Sequence, residues 1–234
     1  IREVLDEQGD GRVKAVLINS PANPTGTVLS AERTRAIAQL GPMVVSDEIY
    51  QGLVYEGEEH SILEYTDRAM VLNGFSKLFA MTGWRLGYLI APREYIRPMQ
   101  RLCQNFFISA CSVSQWAGVA ALKDAWPDVE RMRATYGERR LYLLKRLEAM
   151  GFSVKSHPTG AFYVLAGAGH LKGSEDSLSL AFDILDQALV GVTPGIDFGP
   201  GAEGYLRFSY ANSLENIAEG MDRLEKYVAE HARA

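Results

Sequence analysis

The chain has only two cysteines, Cys103 and Cys111, in 234 residues. Two cysteines do not make a disulfide framework, so a reducing compartment such as the cytoplasm is the expected location. Neither has a His or a Cys at metal-ligand spacing, and no metal site is expected, because zinc sites want four clustered ligands. A basic excess is also missing. Lys and Arg number 24 against 29 Asp and Glu, for a net charge of −5, which argues against a nucleic-acid partner. The most apolar segment, 78–91, is interrupted by Arg85, and no membrane-spanning helix is expected. The first residues, Ile1-Arg2-Glu3-Val4, lack Met and show no signal-peptide pattern. They read as the tail of a helix already under way, as in a chain truncated upstream. Internal repeats and low-complexity tracts are absent.

What is present is a series of short apolar runs. Residues 14–19 (KAVLIN), 43–46 (MVVS), 69–73 (AMVLN) and 87–91 (GYLIA) read as four buried strands. Between the first two, Pro21 to Gly26 forces a loop. Ser30 then caps a helix over 31–39, which stops at Gly41-Pro42. Short strands alternating with helical or irregular crossings predict an α/β fold with a mostly parallel sheet covered by helices. Asn23, Asp47 and Lys77 each follow the end of one of the first three strands, the edge at which open α/β sheets bind ligands.

A long helix is predicted from Trp126 to about Met150, with Pro127 in its first turn and Val129, Met132, Tyr136, Leu143, Leu147 and Met150 along one face. Beyond it, 152–154, 161–165 and 206–209 read as strands, and 178–189 and 217–229 as helices. The predicted organisation is a partial large domain over 1–125, a connecting helix over 126–150, and a small α+β domain over 151–234.

Four sequence blocks occur in order. They are Asn19-Ser20-Pro21-Ala22-Asn23-Pro24-Thr25-Gly26, then Ser46-Asp47-Glu48-Ile49-Tyr50, then Gly74-Phe75-Ser76-Lys77 with Met81-Thr82-Gly83-Trp84-Arg85-Leu86-Gly87, and finally Arg207-Phe208-Ser209. Together they resemble the signature blocks of the class I/II aminotransferases, pyridoxal 5'-phosphate (PLP) enzymes of fold type I, and the resemblance spans nearly the whole chain.

The resemblance implies the roles. Lys77 is the catalytic lysine, which forms the Schiff base with PLP and shuttles a proton. Asp47 would sit beside the ring nitrogen and keep it protonated. Glu48 next to it should point away if the strand continues, because strand side chains alternate. Asn23 and Tyr50 would donate to the ring's phenolic oxygen. Arg85 and Ser76 would bind the phosphate, Arg85 as a bidentate fork. Many members carry a Ser three residues before the lysine, where this chain has Gly74. Arg207, with Asn23, would take the substrate's α-carboxylate.

The residue-only readings are plainer. Asp47 could be a helix N-cap, Asn23 a turn residue and Arg207 half of a salt bridge. Trp84 reads as packing.

The implied activity is transfer of an amino group between an L-amino acid and a 2-oxo acid by a homodimer. The same residues would serve a carbon–sulfur β-lyase. The glycine-rich phosphate loop and the ring-stacking aromatic that family members carry upstream are not found before Asn23. A fragment inactive on its own is therefore also expected.

Overall fold

The computed structural model describes residues 1–8 and 12–233. The chain divides into two compact units. One comprises Ile1–Pro21 with Val28–Glu130, and the other Ala22–Thr27 with Arg131–Ala234.

The first unit opens with helix α1 (Arg2–Gln8) and is built on a four-stranded sheet. Its strands are β1 (Ala15–Asn19), β2 (Met43–Asp47), β3 (Ala69–Gly74) and β4 (Gly87–Ile90), in that spatial order. The first three run parallel and β4 is antiparallel. Helix α2 (Ala31–Ala38) crosses from β1 to β2, and its N-terminus is capped by the Ser30 side chain, which accepts from the Arg33 N–H. Ser30 is thus the cap that its position predicts.

Val44, Ala69 and Val71 point to one side of the sheet and pack with Ile62 into a core. Ile37 and Ala38 of α2 pack against it, as does Ile18 of β1. The opposite face is more open, with Leu17 73% and Leu72 40% exposed.

Two helices follow that the sequence reading did not mark, α3 (Arg93–Phe106) and α4 (Ser112–Asp124). Pro98 lies inside α3, where a proline normally argues against a helix. No residue of α3 is buried, although Tyr95, Ile96, Met99, Leu102, Cys103 and Phe106 recur at helical spacing. Helix α5 (Trp126–Ala149) has the predicted length. Its predicted apolar face holds, with Val129, Leu143 and Leu147 buried.

The second unit contains a three-stranded antiparallel sheet, ordered β5 (Tyr163–Gly167), β7 (Tyr205–Ser209) and β6 (Thr193–Pro194). Helices α6 (Ser177–Ala188) and α7 (Leu214–His231) complete it. Its interior includes Val164, Ile184, Leu206, Tyr210 and Leu224, all fully buried. Each such side chain contributes roughly 1.5–3 kcal/mol relative to exposure. The strand expected over 152–154 is not a strand. Ser153 makes one isolated bridge to Gly167, and pairing stops there.

Among the described residues, no helix is long and apolar enough to cross a membrane.

Candidate active site

In the first unit the predicted residues gather around the ends of β2 and β3. Asp47 is the last residue of β2, in register with Asn19 on one side and Leu72 on the other. The pleat makes Val44, Ser46 and Glu48 buried while Val45 and Asp47 stay partly open. Glu48 points into the core side, as alternation predicts. It accepts from Ser46 Oγ at 2.9 Å, Ser61 Oγ at 3.2 Å and the Ile62 N–H at 3.1 Å. The last two bonds tie the end of β2 to the 3₁₀ turn Ile62–Glu64. Sequence reasoning gave Glu48 a direction but not this anchoring role.

Asp47 is not a helix N-cap, since β2 is followed by turns and not by a helix. Its Oδ1 instead accepts from the Ile49 N–H at 3.1 Å, an Asx turn. This bond fixes the carboxylate and starts the bend that brings in Tyr50. Tyr50 is buried, and the Lys77 Nζ lies over its ring at 5.8 Å from the centroid. A cation at that range is held by the ring's negative face.

Ser76 and Lys77 occupy the turn after β3. The turn is pinned at both ends: Phe75 N–H donates to the Leu86 carbonyl, and Met81 N–H to the Phe75 carbonyl. Phe75 and Met81 are buried in a cluster with Ala121 of α4, flanked by Phe79 and Leu86. Ser76 and Lys77, between these anchors, remain partly accessible.

Gly74 explains the departure from the common family pattern. A Cβ there would lie 3.0 Å from both the Leu86 oxygen and the Gly87 Cα. Strands β3 and β4 approach so closely at this pair that a side chain would need them to give by a few tenths of an ångström.

Arg85 is exposed, and its backbone has φ 50°, a left-handed conformation. Such a conformation is uncommon outside glycine. Its Nη1 donates to the Thr82 carbonyl at 3.0 Å. Trp84, read as packing, is 46% exposed. The sequence also missed Asn73, whose Nδ2 donates to Gln51 Oε1 at 3.2 Å beside the same turn.

In the second unit the structure brings together Asn23 and Arg207. The loop Ala22–Thr27 is closed by Ala22 N–H to the Thr27 carbonyl and by Gly26 N–H to the Ala22 carbonyl. Gly26 has φ +68°, and a Cβ on it would lie 2.5 Å from Pro158 Cβ and 2.7 Å from the Tyr163 oxygen. Only glycine fits both the conformation and the space. The buried Arg140 donates from Nη1 to the Pro158 carbonyl at 2.7 Å, which fixes the opposing wall.

Arg207 projects from β7. Its Nη1 donates to Asn23 Oδ1 at 2.8 Å and its Nη2 to Thr193 Oγ1 at 2.9 Å. Its Cζ lies over the Tyr163 ring at 4.3 Å and the Phe198 ring at 5.1 Å. The Nε is buried and has no hydrogen-bond partner. Among the described residues the salt-bridge reading of Arg207 is not realised, since its hydrogen-bond partners there are neutral oxygens.

The family pattern described as Aminotransferase class I and II matches residues 1–224. A (5-formylfuran-3-yl)methyl phosphate transaminase of Methanocaldococcus jannaschii is 41% identical over 230 residues, covering 97% of this chain and 60% of that protein. An aspartate aminotransferase of Pyrococcus abyssi is 39% identical, covering 94% of this chain and 58% of its own length. The crystal structure of Thermus thermophilus aspartate aminotransferase with maleate superposes with a TM-score of 0.89 at 38% identity, covering 97% of this chain and 60% of that one. The chain therefore spans about 60% of the length of these relatives.

Proposed function

The chain belongs to the class I and II aminotransferase family, and on that premise we propose that it carries PLP-binding and substrate-binding residues of an enzyme that exchanges an amino group between an L-amino acid and a 2-oxo acid. The observation that carries this reading is the placement of Asp47, Tyr50, Ser76 and Lys77 at the carboxyl ends of β2 and β3, with Lys77 Nζ over the Tyr50 ring. Those donors fit PLP: an amine, a carboxylate, a phenol and a hydroxyl, with Arg85 as a nearby cation. When bound, PLP supplies an electron sink for the substrate's α-carbon.

Lys77 would hold the cofactor through Nζ, and its amine would be the group that moves a proton at the substrate's α-carbon. Asp47 would be the carboxylate that keeps a proton on the ring nitrogen. By the family resemblance, Tyr50 and Asn23 would be the donors to the phenolic oxygen. Ser76 and Arg85 would hold the phosphate. Arg207 takes the substrate's α-carboxylate through its terminal nitrogens, with Asn23 beside it. The partial large domain over 1–125, the connecting helix over 126–150 and the small domain over 151–234 remain our reading of the domain organisation. A second copy of the chain as partner and a cytoplasmic location belong to the same proposal, which rests there on the family resemblance.

The test is incubation with PLP, borohydride reduction, and mass analysis with peptide mapping. A pyridoxyl group on Lys77 is the expected result. Its absence, or a label on another lysine, overturns the assignment. Because the chain spans only part of its relatives' length, the 234-residue chain alone is expected to show no more than trace transamination. Robust turnover by that chain would refute this, and release of pyruvate and ammonia from a cysteine conjugate would refute the reaction class.

A further inference from the structure

Strands β1, β2 and β3 run parallel, so their starts share one end of the sheet and Asp47 lies at the other. Lys14 immediately precedes β1, Pro42 precedes β2 and Arg68 precedes β3. The ladder fixes the two cations on either side of β2. The Met43 N–H donates to the Lys14 carbonyl at 3.3 Å, and the Val44 N–H donates to the Arg68 carbonyl at 3.1 Å. Adjacent strands lie about 4.8 Å apart, which puts the two backbones roughly 10 Å from each other. Side chains as long as Lys and Arg can both reach one ligand across that span.

Both residues line an open cavity of about 540 Å³, together with Arg2 and Asp6 of α1 and the Gly41-Pro42 turn. Small-molecule sites have this size. Arg2 and Asp6 are four residues apart, on one face of α1. Among the described residues, no side-chain hydrogen bond or ion pair engages Arg2, Asp6, Lys14 or Arg68. Three cations against one acid leave two positive charges uncompensated, in a chain whose net charge is −5. Like charges held together repel, and a bound anion relieves the repulsion. A single carboxylate removes only one of the two charges. A phosphate group carries nearly two at neutral pH, and a diphosphate carries more. Guanidinium forks match phosphate oxygens in pairs, and an ammonium binds them as a point charge.

We propose that this cavity binds a small molecule bearing a diphosphate, held by Arg2, Lys14 and Arg68 at the end of the sheet opposite Asp47. The length of β2, roughly 16 Å, separates it from the candidate active site, and it uses none of the residues given to the cofactor. Asp6 opposes the anion and limits its affinity. All four charged residues are exposed, so added salt weakens the site.

The experiment is titration calorimetry of the 234-residue chain with inorganic pyrophosphate, at low ionic strength and without divalent cations. The wild-type chain is expected to bind at one site. Lys14→Ala and Arg68→Ala should each weaken binding by about 5- to 20-fold, the loss of one charge-assisted contact in a screened site. Asp6→Asn removes the opposing charge and should tighten binding by about 2- to 5-fold, a gain that a misfolded chain cannot produce. Lys123→Ala removes a cation of α4 outside the cavity and should change nothing. Arg85→Gln should also leave pyrophosphate binding unchanged. Acetate should bind at least about tenfold more weakly than pyrophosphate.

No pyrophosphate binding, or binding that Lys14→Ala, Arg68→Ala and Asp6→Asn leave unaltered, would overturn the site. An equal loss in Lys123→Ala would reduce it to diffuse surface charge. A loss in Arg85→Gln would move the anion to the candidate cofactor site and overturn the proposal equally, and acetate binding as tight as pyrophosphate would overturn the ligand class. None of these outcomes bears on the labelling of Lys77, so the two readings fail separately.

Discussion

Arg207 and Asn23 are joined by a 2.8 Å hydrogen bond across 184 residues of sequence. The asparagine sits in a loop that only glycine at position 26 can close, and the arginine on the central strand of a separate antiparallel sheet. Lysine carries a point charge in place of a planar fork, and it cannot serve Asn23, Thr193 and a carboxylate together. Arg207→Lys should therefore keep the fold but lower carboxylate affinity by roughly 10- to 100-fold, the cost of charge-assisted bonds at about 1.5–3 kcal/mol. Titration calorimetry with a 2-oxo acid would check this, and equal affinity would remove Arg207 from the site.

Asp47→Asn separates the carboxylate's charge from its structural bond. An asparagine oxygen can still accept from the Ile49 N–H that Asp47 Oδ1 now holds. Thermal stability should hardly move. Transamination by an enzyme containing this site should fall by roughly 10²-fold or more, the scale of a lost acid–base partner. Full activity with an unchanged melting curve would assign Asp47 to the turn alone.

Gly74→Ser would supply the hydroxyl found in many relatives, yet it should be harmful here. The new Cβ would meet the Leu86 oxygen and the Gly87 Cα at 3.0 Å, forcing β3 and β4 apart. A destabilisation of about 1–3 kcal/mol is expected, measurable by urea denaturation. A neutral or stabilising effect would show that the strand pair can relax.

His170 gives a pH dependence whose sign is fixed. Desolvation holds its imidazole below the ordinary value of 6.5, outweighing the opposing pull of the Met150 backbone. Its ring packs edge-on against Phe152 with centroids 4.7 Å apart. As pH falls below that ordinary value, the unfolded chain takes up the proton first. Stability is therefore full above it and declines on acidification through the lower folded value. Urea midpoints between about pH 7 and pH 5 should fall more steeply for the wild-type chain than for His170→Leu. Parallel profiles would assign the acid sensitivity elsewhere.

The parts of the fold with a local signal were legible. Ser30 precedes a helix and caps it, and the runs at 43–46 and 69–73 are strands because apolar, β-branched stretches bounded by turns have few alternatives. The antiparallel direction of β4 was not legible, since a four-residue strand carries no mark of its partner's direction. Helix α3 was obscured by Pro98, although its apolar residues 95, 96, 99, 102, 103 and 106 carry the helical period. At the candidate site, the sequence blocks marked which residues matter, and the structure adds how they are held. Glu48 as an anchor for Ser61 and Ile62, and Thr193 as a partner of Arg207, depend on contacts 13 or more residues apart. No periodicity records such pairs.

The neighbouring acids Asp47 and Glu48 have one further consequence. Both are carboxylates, and the strand's pleat alone decides which is sealed into the core side and which stays accessible. A slip of β2 by a single residue would exchange them, exposing the longer acid and stranding the shorter one among donors arranged for Glu48. The two bonds that Glu48 accepts from Ser61 and Ile62 therefore act as a register pin, and the identity of the accessible acid is set from the opposite side of the sheet.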